Sequence, residues 1–222
     1  FGGNLQDEAK DIFVDPLGNV FITGEYNGAI DIDPGPGSTM LTSNGGSDIF
    51  IQKLDSNGDF VWGKSIGGQF NDFGTNIIVD STGNIYVSGA FRSLVDFDPN
   101  AGSTSLLSNG LRDIFLLKLN SDGNYIWSKN IGGLAHDEPN ALIFDMSGIY
   151  IAGAFRDAVD FDPGNGVVNK TSNGDADIFV QKLTHNGDYL WVNTYGGPGN
   201  DAAYELCLGA SNSIYISGHF QD

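Results

Sequence analysis

Hydrophobic and polar residues alternate along short stretches of this chain, and the alternation is clearest between residues 76 and 131. Ile85, Val87 and Phe91 share one face of an extended segment, while Tyr86 and Ser88 share the other face. A period of two residues is typical of a β-strand. The pattern therefore predicts four strands in this stretch, at residues 76–80, 84–91, 113–120 and 125–131.

The third of these strands is apolar on both faces, since Ile114 and Leu116 point one way while Phe115 and Leu117 point the other. A strand of this kind needs cover on both sides of its sheet. The third and fourth strands are joined by tight-turn dipeptides that tolerate positive φ angles. These dipeptides recur as Asn57-Gly58, Asp122-Gly123 and Asn186-Gly187.

The whole pattern repeats along the chain. Gly-Gly pairs begin at Gly2, Gly67, Gly132 and Gly196, at spacings of 65, 65 and 64 residues. A fixed period of this length indicates a repeat architecture. We predict repeats at 2–66, 67–131, 132–195 and 196–222, the last of them incomplete, within a single segment spanning residues 1–222.

Stacking of four-stranded antiparallel sheets around an axis covers both faces of every sheet. The sequence therefore predicts an all-β fold of the β-propeller type, with three full blades and half of a fourth. A coiled β-helix is less favoured, because a 65-residue unit is too long for one coil. Such a partial ring needs further chain or another copy to complete it, and the break within the fourth unit predicts a fragment or a processed protein.

The segments "GGQFNDFGTNIIVDSTGNIYVSGAF" and "DIFLLKLNSDGNYIWSKNIGG" closely resemble the bacterial β-propeller repeat called the SBBP repeat. The version with "VDFDPNAG" and "SNG" is similar to that of large secreted or cell-surface proteins, particularly of the Bacteroidota. This resemblance implies an extracellular location and a scaffold within a multidomain protein. It implies no reaction, because the family has no shared active-site motif.

Composition narrows the possible partners. The formal net charge of −18 argues against nucleic acid and anionic membrane surfaces, both of which would repel the chain. No apolar run approaches the length needed to span a bilayer. The single cysteine, Cys207, aligns with Phe13, Ile78 and Ile143, and we therefore expect it to be a small core residue.

The candidate metal ligands are six aspartates in the insert between the second and third strands of each repeat. They form the pairs Asp31 and Asp33, Asp96 and Asp98, and Asp160 and Asp162, each followed by proline. Ca²⁺ prefers oxygen ligands in flexible acidic loops, so one hypothesis is that each pair binds Ca²⁺. The alternative is that these aspartates cap the turn by accepting backbone N–H bonds.

Other aspartates recur in columns where loops need acceptors, and we interpret them as structural. The columns are Asp7, Asp72, Asp137 and Asp201, then Asp15, Asp80 and Asp145, and then Asp48, Asp113 and Asp177.

A unique site in a repeat protein should appear as a departure from the repeat. The polar departures are Glu25, Arg92, Arg112, His136, Arg156, His185 and His219, which do not assemble into a recognisable catalytic set. We therefore expect a non-enzymatic scaffold or adhesion module that contacts protein or glycan through its loops. The alternatives are a lectin that uses Phe70 and Phe73 as stacking platforms, and an enzyme whose catalytic residues lie outside this chain.

Overall fold

The computed structural model describes residues 2–210 and 213–222, and every named element in this part of the chain is a β-strand, as the alternation predicts. The strands are β1 (Gly2–Gly3), β2 (Asp7–Val14), β3 (Val20–Asp31), β4 (Met40–Leu54), β5 (Phe60–Ile66), β6 (Phe73–Val79), β7 (Ile85–Phe91), β8 (Leu94–Asp96), β9 (Ser105–Leu107), β10 (Asp113–Leu119), β11 (Tyr125–Gly133), β12 (Glu138–Asp145), β13 (Gly148–Asp160), β14 (Asn169–Leu183), β15 (Tyr189–Tyr195), β16 (Ala202–Leu208) and β17 (Ile214–His219).

These strands fall into two compact units. The first unit comprises Phe1–Leu107 and Leu116–Ser128, and the second comprises Ser108–Phe115 and Lys129–Asp222. In the first unit, the sheet of the first repeat has the order β1-β3-β4-β5, and β2 pairs with the first half of β3. In the second unit, β12 pairs antiparallel with β13, which continues to β14 and β15, while β16 and β17 form a separate pair.

The four strands predicted in the second repeat overlap the observed β6, β7, β10 and β11, with ends that differ by a few residues. The insert differs more from the expected loop. In the first and third repeats it is a continuation of the strands, so that Asp31 pairs with Met40 and Asp160 pairs with Asn169. In the second repeat it forms the short hairpin of β8 and β9.

Neighbouring repeats pack face to face within the first unit. Strand β6 lies against β2, β3 and β4 without joining their sheet. The backbone N–H of Ile77 donates to Asp11 Oδ2 across this junction at 2.8 Å. A Cβ at Gly74 would overlap the hydroxyl of Thr23, so glycine is required for the close approach. Trp62 also contacts the following repeat, because its indole N–H donates to the carbonyl of Ser121 at 3.3 Å.

The second unit contains a junction of the same kind. Ala203 and Leu206 of β16 pack in one cluster with Tyr150, Ile178 and Val180 of the third repeat, and all five residues are buried. Further members of the cluster include Ala141, Ala152, Trp191 and Ile214. The two-sided apolar pattern of the strands is therefore explained by sheets that cover one another.

The expectation that Cys207 is a core residue is wrong, since its side chain is exposed. The neighbouring Leu206 points into the junction cluster and is buried. Successive residues of a strand point to opposite faces, and Cys207 therefore lies on the outer face of the sheet formed by β16 and β17.

Candidate functional site

The six candidate aspartates lie at the ends of three hairpins built on the same plan. The apolar residue between each pair is fully buried and bonds back across the hairpin: Ile32 N–H donates to Thr39, Phe97 to Thr104 and Phe161 to Val168. Successive side chains of a strand point to opposite faces. The two aspartates that flank the buried residue therefore point away from the core.

The first aspartate of each pair accepts two backbone N–H bonds through one oxygen. Asp31 Oδ1 accepts from Asp33 at 3.2 Å and from Thr39 at 2.9 Å. The corresponding distances to Asp96 Oδ1 are 3.1 and 2.7 Å, and those to Asp160 Oδ1 are 3.0 and 2.8 Å. The backbone bond from Thr39 is the main cause that lowers the pKa of Asp31. These are the contacts expected if the aspartates cap the turn by accepting backbone N–H bonds.

The second aspartate of each pair caps the following turn. Asp33 Oδ1 accepts from the N–H of Gly35 at 2.7 Å, and Asp162 Oδ1 accepts from Gly164 at 2.8 Å. Asp98 Oδ1 makes the matching bond with the N–H of Asn100 at 3.0 Å. Each hairpin end thus carries two carboxylates, and both of them act as backbone acceptors.

Sequence reasoning missed a glycine that this geometry requires. A Cβ at Gly37, Gly102 or Gly166 would overlap Oδ2 of the second aspartate in the same hairpin. The signal was present in the sequence, because each of these glycines stands four residues after that aspartate. Gln52 and Gln181 were also missed. Their side-chain amides donate to the carbonyls of Ile32 and Phe161, and so tie the hairpin end to the sheet.

The aspartate columns are structural, as predicted. In the first of them, Asp72 Oδ2 accepts from the N–H of Gly68 and Oδ1 accepts from the N–H of Arg92, both at 2.8 Å. Asp137 makes the same two bonds with Gly133 and Arg156. Each of these carboxylates therefore joins the start of a repeat to the end of its second strand. Asp80 instead caps a turn by accepting the N–H groups of Thr82 and Asn84.

The third column is buried beside the next repeat. Asp48 Oδ2 accepts from the N–H of Asn44 at 3.0 Å, whereas Oδ1 is buried without a partner. A Cβ at Gly67 would overlap the Asp48 carboxyl group, which explains the glycine. Burial raises the pKa of Asp48 to about 6. Burial, together with the charge of Asp48, raises the pKa of Asp72 to about 7.

The polar departures from the repeat are engaged within the chain. The Lys10 ammonium lies 3.5 Å from a Glu25 carboxylate oxygen, and Tyr204 Oη lies 2.7 Å from His219 Nδ1. His185 also has an interaction partner within the chain. The Arg92 guanidinium lies 4.6 Å from the centre of the Phe70 ring. This ring, which was a candidate glycan platform, is therefore covered by a cation.

The second unit gathers three of the departures near one another. Arg112 Nη1 lies 2.9 Å from Glu138 Oε1, and Arg156 Nε lies 3.2 Å from Asp175 Oδ1. Arg156 also donates to the carbonyl of His136 at 3.4 Å. These are ion pairs and backbone contacts, and they do not place a base beside a nucleophile.

Among residues 2–210 and 213–222, no three His, Cys, Asp or Glu side chains are placed to share a metal ion. A cleft of about 400 Å³ in the first unit is lined by residues that include Asp7, Glu8, Ile30 and Phe50. The described part of the chain contains no helix that is long and apolar enough to cross a membrane.

The fold and these sites define a repeat protein with capped hairpins and tightly packed junctions. A sequence model described as "Beta-propeller repeat" matches residues 61–90, which run from the fourth strand of the first repeat to the second strand of the next. The resemblance to the SBBP repeat is confirmed over this stretch. A bacteroidotal origin is not shown by any of these matches.

Two curated proteins are similar to the chain over most of its length. The regulatory protein FlaEY of Caulobacter vibrioides is 26% identical over 202 residues, which covers 89% of this chain and 20% of FlaEY. An uncharacterized WD repeat-containing protein of Acanthamoeba polyphaga mimivirus is 25% identical over 262 residues, covering 98% of this chain and 18% of that protein. The chain thus spans about a fifth of the length of these relatives.

Proposed function

We propose that this chain is a non-enzymatic β-propeller scaffold that binds other proteins through its loops, within a longer secreted or cell-surface protein. The observation that carries the proposal is the contrast between a constant framework and variable loops. Gly45, Gly110 and Gly174 each pack against the backbone of a loop at the start of the next repeat, namely 69–71, 134–136 and 198–200. We call these three segments the variable loops.

The side chains on the variable loops differ from repeat to repeat although the backbone contacts are the same. The first variable loop reads Gln-Phe-Asn, the second Leu-Ala-His and the third Pro-Gly-Asn. Phe70 is partly exposed under Arg92, and Leu134 is 76% exposed. Aromatic and arginine side chains are enriched at protein–protein interfaces, and the buried centre of an interface is more apolar than the rest of the surface. Loops on a rigid scaffold are also where binding functions are usually found.

The relatives are consistent with a binding role, since one is named a regulatory protein and the other a WD repeat-containing protein. Four-stranded blades, three complete and one half, remain part of the proposal. So does an extracellular location, which rests on the resemblance of the repeat. Identification of an export signal in the flanking sequence of the gene is the direct test of location.

Binding to an array of extracellular proteins tests the proposed function. We expect at least one protein ligand whose affinity falls by roughly tenfold in Leu134→Asp, as is usual for a residue at the centre of an interface. Val61→Asp is the matched control, because Val61 is exposed on the edge strand β5 and lies outside the variable loops. The Val61→Asp variant should bind the same ligand with the affinity of the unmodified chain.

Two outcomes would contradict the protein-binding proposal. Binding to a glycan array at about one site per repeat would favour the lectin alternative. Turnover that appears only when flanking sequence is present would favour the enzyme alternative.

The calcium hypothesis for the six aspartates is tested separately. If each pair binds Ca²⁺, added Ca²⁺ should raise the melting temperature of the chain and EDTA should lower it, because a ligand that binds only the folded state stabilises it. A melting temperature that neither reagent changes would leave the aspartates as turn caps alone.

A further inference from the structure

The second repeat departs from its neighbours at one cross-strand pair. Leu94 of β8 lies opposite Leu107 of β9. The equivalent pairs in the first and third repeats consist of alanine and threonine, namely Ala29 with Thr42 and Ala158 with Thr171. Side chains that lie opposite each other on neighbouring antiparallel strands share one face of the sheet. The second repeat therefore places two leucines together on one face of its hairpin.

Both leucines are exposed, although the second repeat has another repeat on each side of it in the sequence. Leu94 is 59% exposed and Leu107 is 62% exposed. The hairpin itself is anchored, because Val95 and Phe97 are buried. The exposure of the leucines is therefore a property of a packed, internal hairpin. Large exposed apolar side chains grouped on one face indicate an interaction surface.

An exposed arginine stands two residues before Leu94. The guanidinium of this residue, Arg92, lies 4.6 Å from the centre of the Phe70 ring. The loop that carries Phe70 begins at Gly68, where a Cβ would overlap the carbonyl oxygen of Leu94. Phe70, Arg92, Leu94 and Leu107 thus belong to one corner of the second repeat. We call these four residues the arginine–leucine surface.

Arg92 differs from its equivalent in the third repeat, Arg156, which has a carboxylate partner. Arg156 Nε lies 3.2 Å from Asp175 Oδ1. The second repeat has Leu111 at the position of Asp175. Among residues 2–210 and 213–222, no carboxylate lies within ion-pair distance of Arg92. The Arg92 guanidinium therefore remains able to pair with a carboxylate from another molecule.

We propose that the arginine–leucine surface binds a peptide segment of a partner protein that carries one carboxylate beside large apolar side chains. This inference rests on the proposed function and adds the chemistry of the ligand to it. The argument is local complementarity. A carboxylate can form a bidentate pair with Arg92, whose guanidinium is already stacked on the Phe70 ring. Apolar side chains of the same segment would cover Leu94 and Leu107, as at the centre of an interface.

The charge of the whole chain limits how acidic the bound segment can be. The formal net charge is −18, so nucleic acid or a run of acidic residues is repelled at long range. A single carboxylate in an apolar segment meets much less of this repulsion and finds its cation in Arg92. The expected ligand is therefore an apolar segment with one acidic residue, and not a polyanion.

Selection of random peptides displayed on phage, against the whole 222-residue chain, tests the proposal. We expect the enriched peptides to share one Asp or Glu next to Leu, Phe or Trp. A synthetic peptide from this set should bind Arg92→Gln roughly tenfold more weakly than it binds the unmodified chain, because arginine is a frequent hot-spot residue. The substitution retains the backbone N–H that donates to Asp72.

The other repeats supply two matched variants. Arg156→Gln makes the same change where Asp175 already pairs with the arginine, and it should leave the affinity for the peptide unchanged. Leu94→Ala combined with Leu107→Thr restores the residues of the first and third repeats, so the hairpin should fold and the affinity should fall roughly tenfold.

A change in the peptide identifies the contact with Arg92. Replacing the acidic residue of the peptide by its amide should weaken binding to the unmodified chain, and Arg92→Gln should then have little further effect. Failure to enrich any peptide would overturn the proposal, as would enriched peptides that lack an acidic residue. Equal loss of affinity in Arg156→Gln would also overturn it. The proposed function fails separately, if no protein on the array is sensitive to Leu134→Asp.

Discussion

The position occupied by Gly28, Ser93 and Asp157 in the first three repeats has left-handed backbone in each of them. Only the first of these repeats has glycine at this position. Gly28 has a φ angle of 73°, while the equivalent Ser93 and Asp157 have φ angles of 67° and 56°. The register between β3 and β4 shifts next to Gly28, and the register between β13 and β14 shifts next to Asp157. This bulge starts the hairpin that carries the paired aspartates, and its conformation favours glycine.

Replacing Asp157 by glycine should therefore stabilise the protein. The variant removes a strained non-glycine residue at an exposed position, and we expect the free energy of unfolding to rise by about 0.5 kcal/mol. The N–H of Asp157, which donates to the Ser172 hydroxyl at 3.0 Å, is retained. Chemical denaturation measures the change. Asp59→Gly, at an exposed position without a positive φ angle, should be destabilising, and a gain there would contradict the explanation.

At the scale of the element, the three hairpin ends depend on the first aspartate of each pair. Asp160 accepts two backbone N–H groups, whereas Asp162 accepts one. A backbone donor that loses its acceptor in a partly buried turn destabilises the folded state. The hairpin should therefore tolerate loss of the second carboxylate better than loss of the first.

Asp160→Ala should lower the free energy of unfolding by about 1–2 kcal/mol, as loss of a cap usually does. Asp162→Ala should lower it by less. Thermal and denaturant unfolding of both variants provide the comparison. A larger loss in Asp162→Ala would show that the second carboxylate has a role beyond its bond to the N–H of Gly164.

For the whole molecule, the sequence was sufficient where a pattern recurs. The period of 65 residues and the alternation along residues 85–91 predicted the strands, because the same packing problem is solved in each repeat. The aspartate columns were recognised as backbone acceptors for the same reason. Cys207 was predicted wrongly because its equivalent in the third repeat, Ile143, packs against the cluster of Tyr150 and Leu206, whereas Cys207 itself is exposed.

Other features could not be predicted from a single position. The insert continues the strands in the first and third repeats but forms a separate hairpin in the second, although its aspartates and proline are the same. Asp48 Oδ1 is buried without a partner and Gly67 of the next repeat packs against the same carboxyl group, which is a tertiary contact that no single position predicts. The polar departures were not expected to form a catalytic set, but the ion pairs that Arg112 and Arg156 make within the chain were not predicted either.

The buried aspartates and the capping aspartates give the molecule opposite responses to pH. Burial raises the pKa values of Asp48 and Asp137 to about 6 and that of Asp72 to about 7. Between the unfolded pKa and these values the folded state binds more protons, so stability falls as pH rises. Backbone hydrogen bonds lower the pKa values of Asp31 and Asp55, whose contribution is lost as pH falls below the unfolded pKa.

The stability of the whole chain should therefore be greatest in mild acid, at about pH 4–5, and should decline toward pH 8 as Asp48, Asp72 and Asp137 ionise. Asp48→Asn removes one buried charge while keeping an acceptor for the N–H of Asn44, so it should stabilise the protein at pH 8 by on the order of 2 kcal/mol and flatten the decline. Melting temperatures of this variant and of the unmodified chain across this pH range test the prediction, and an equal decline in Asp48→Asn would show that Asp48 does not control it.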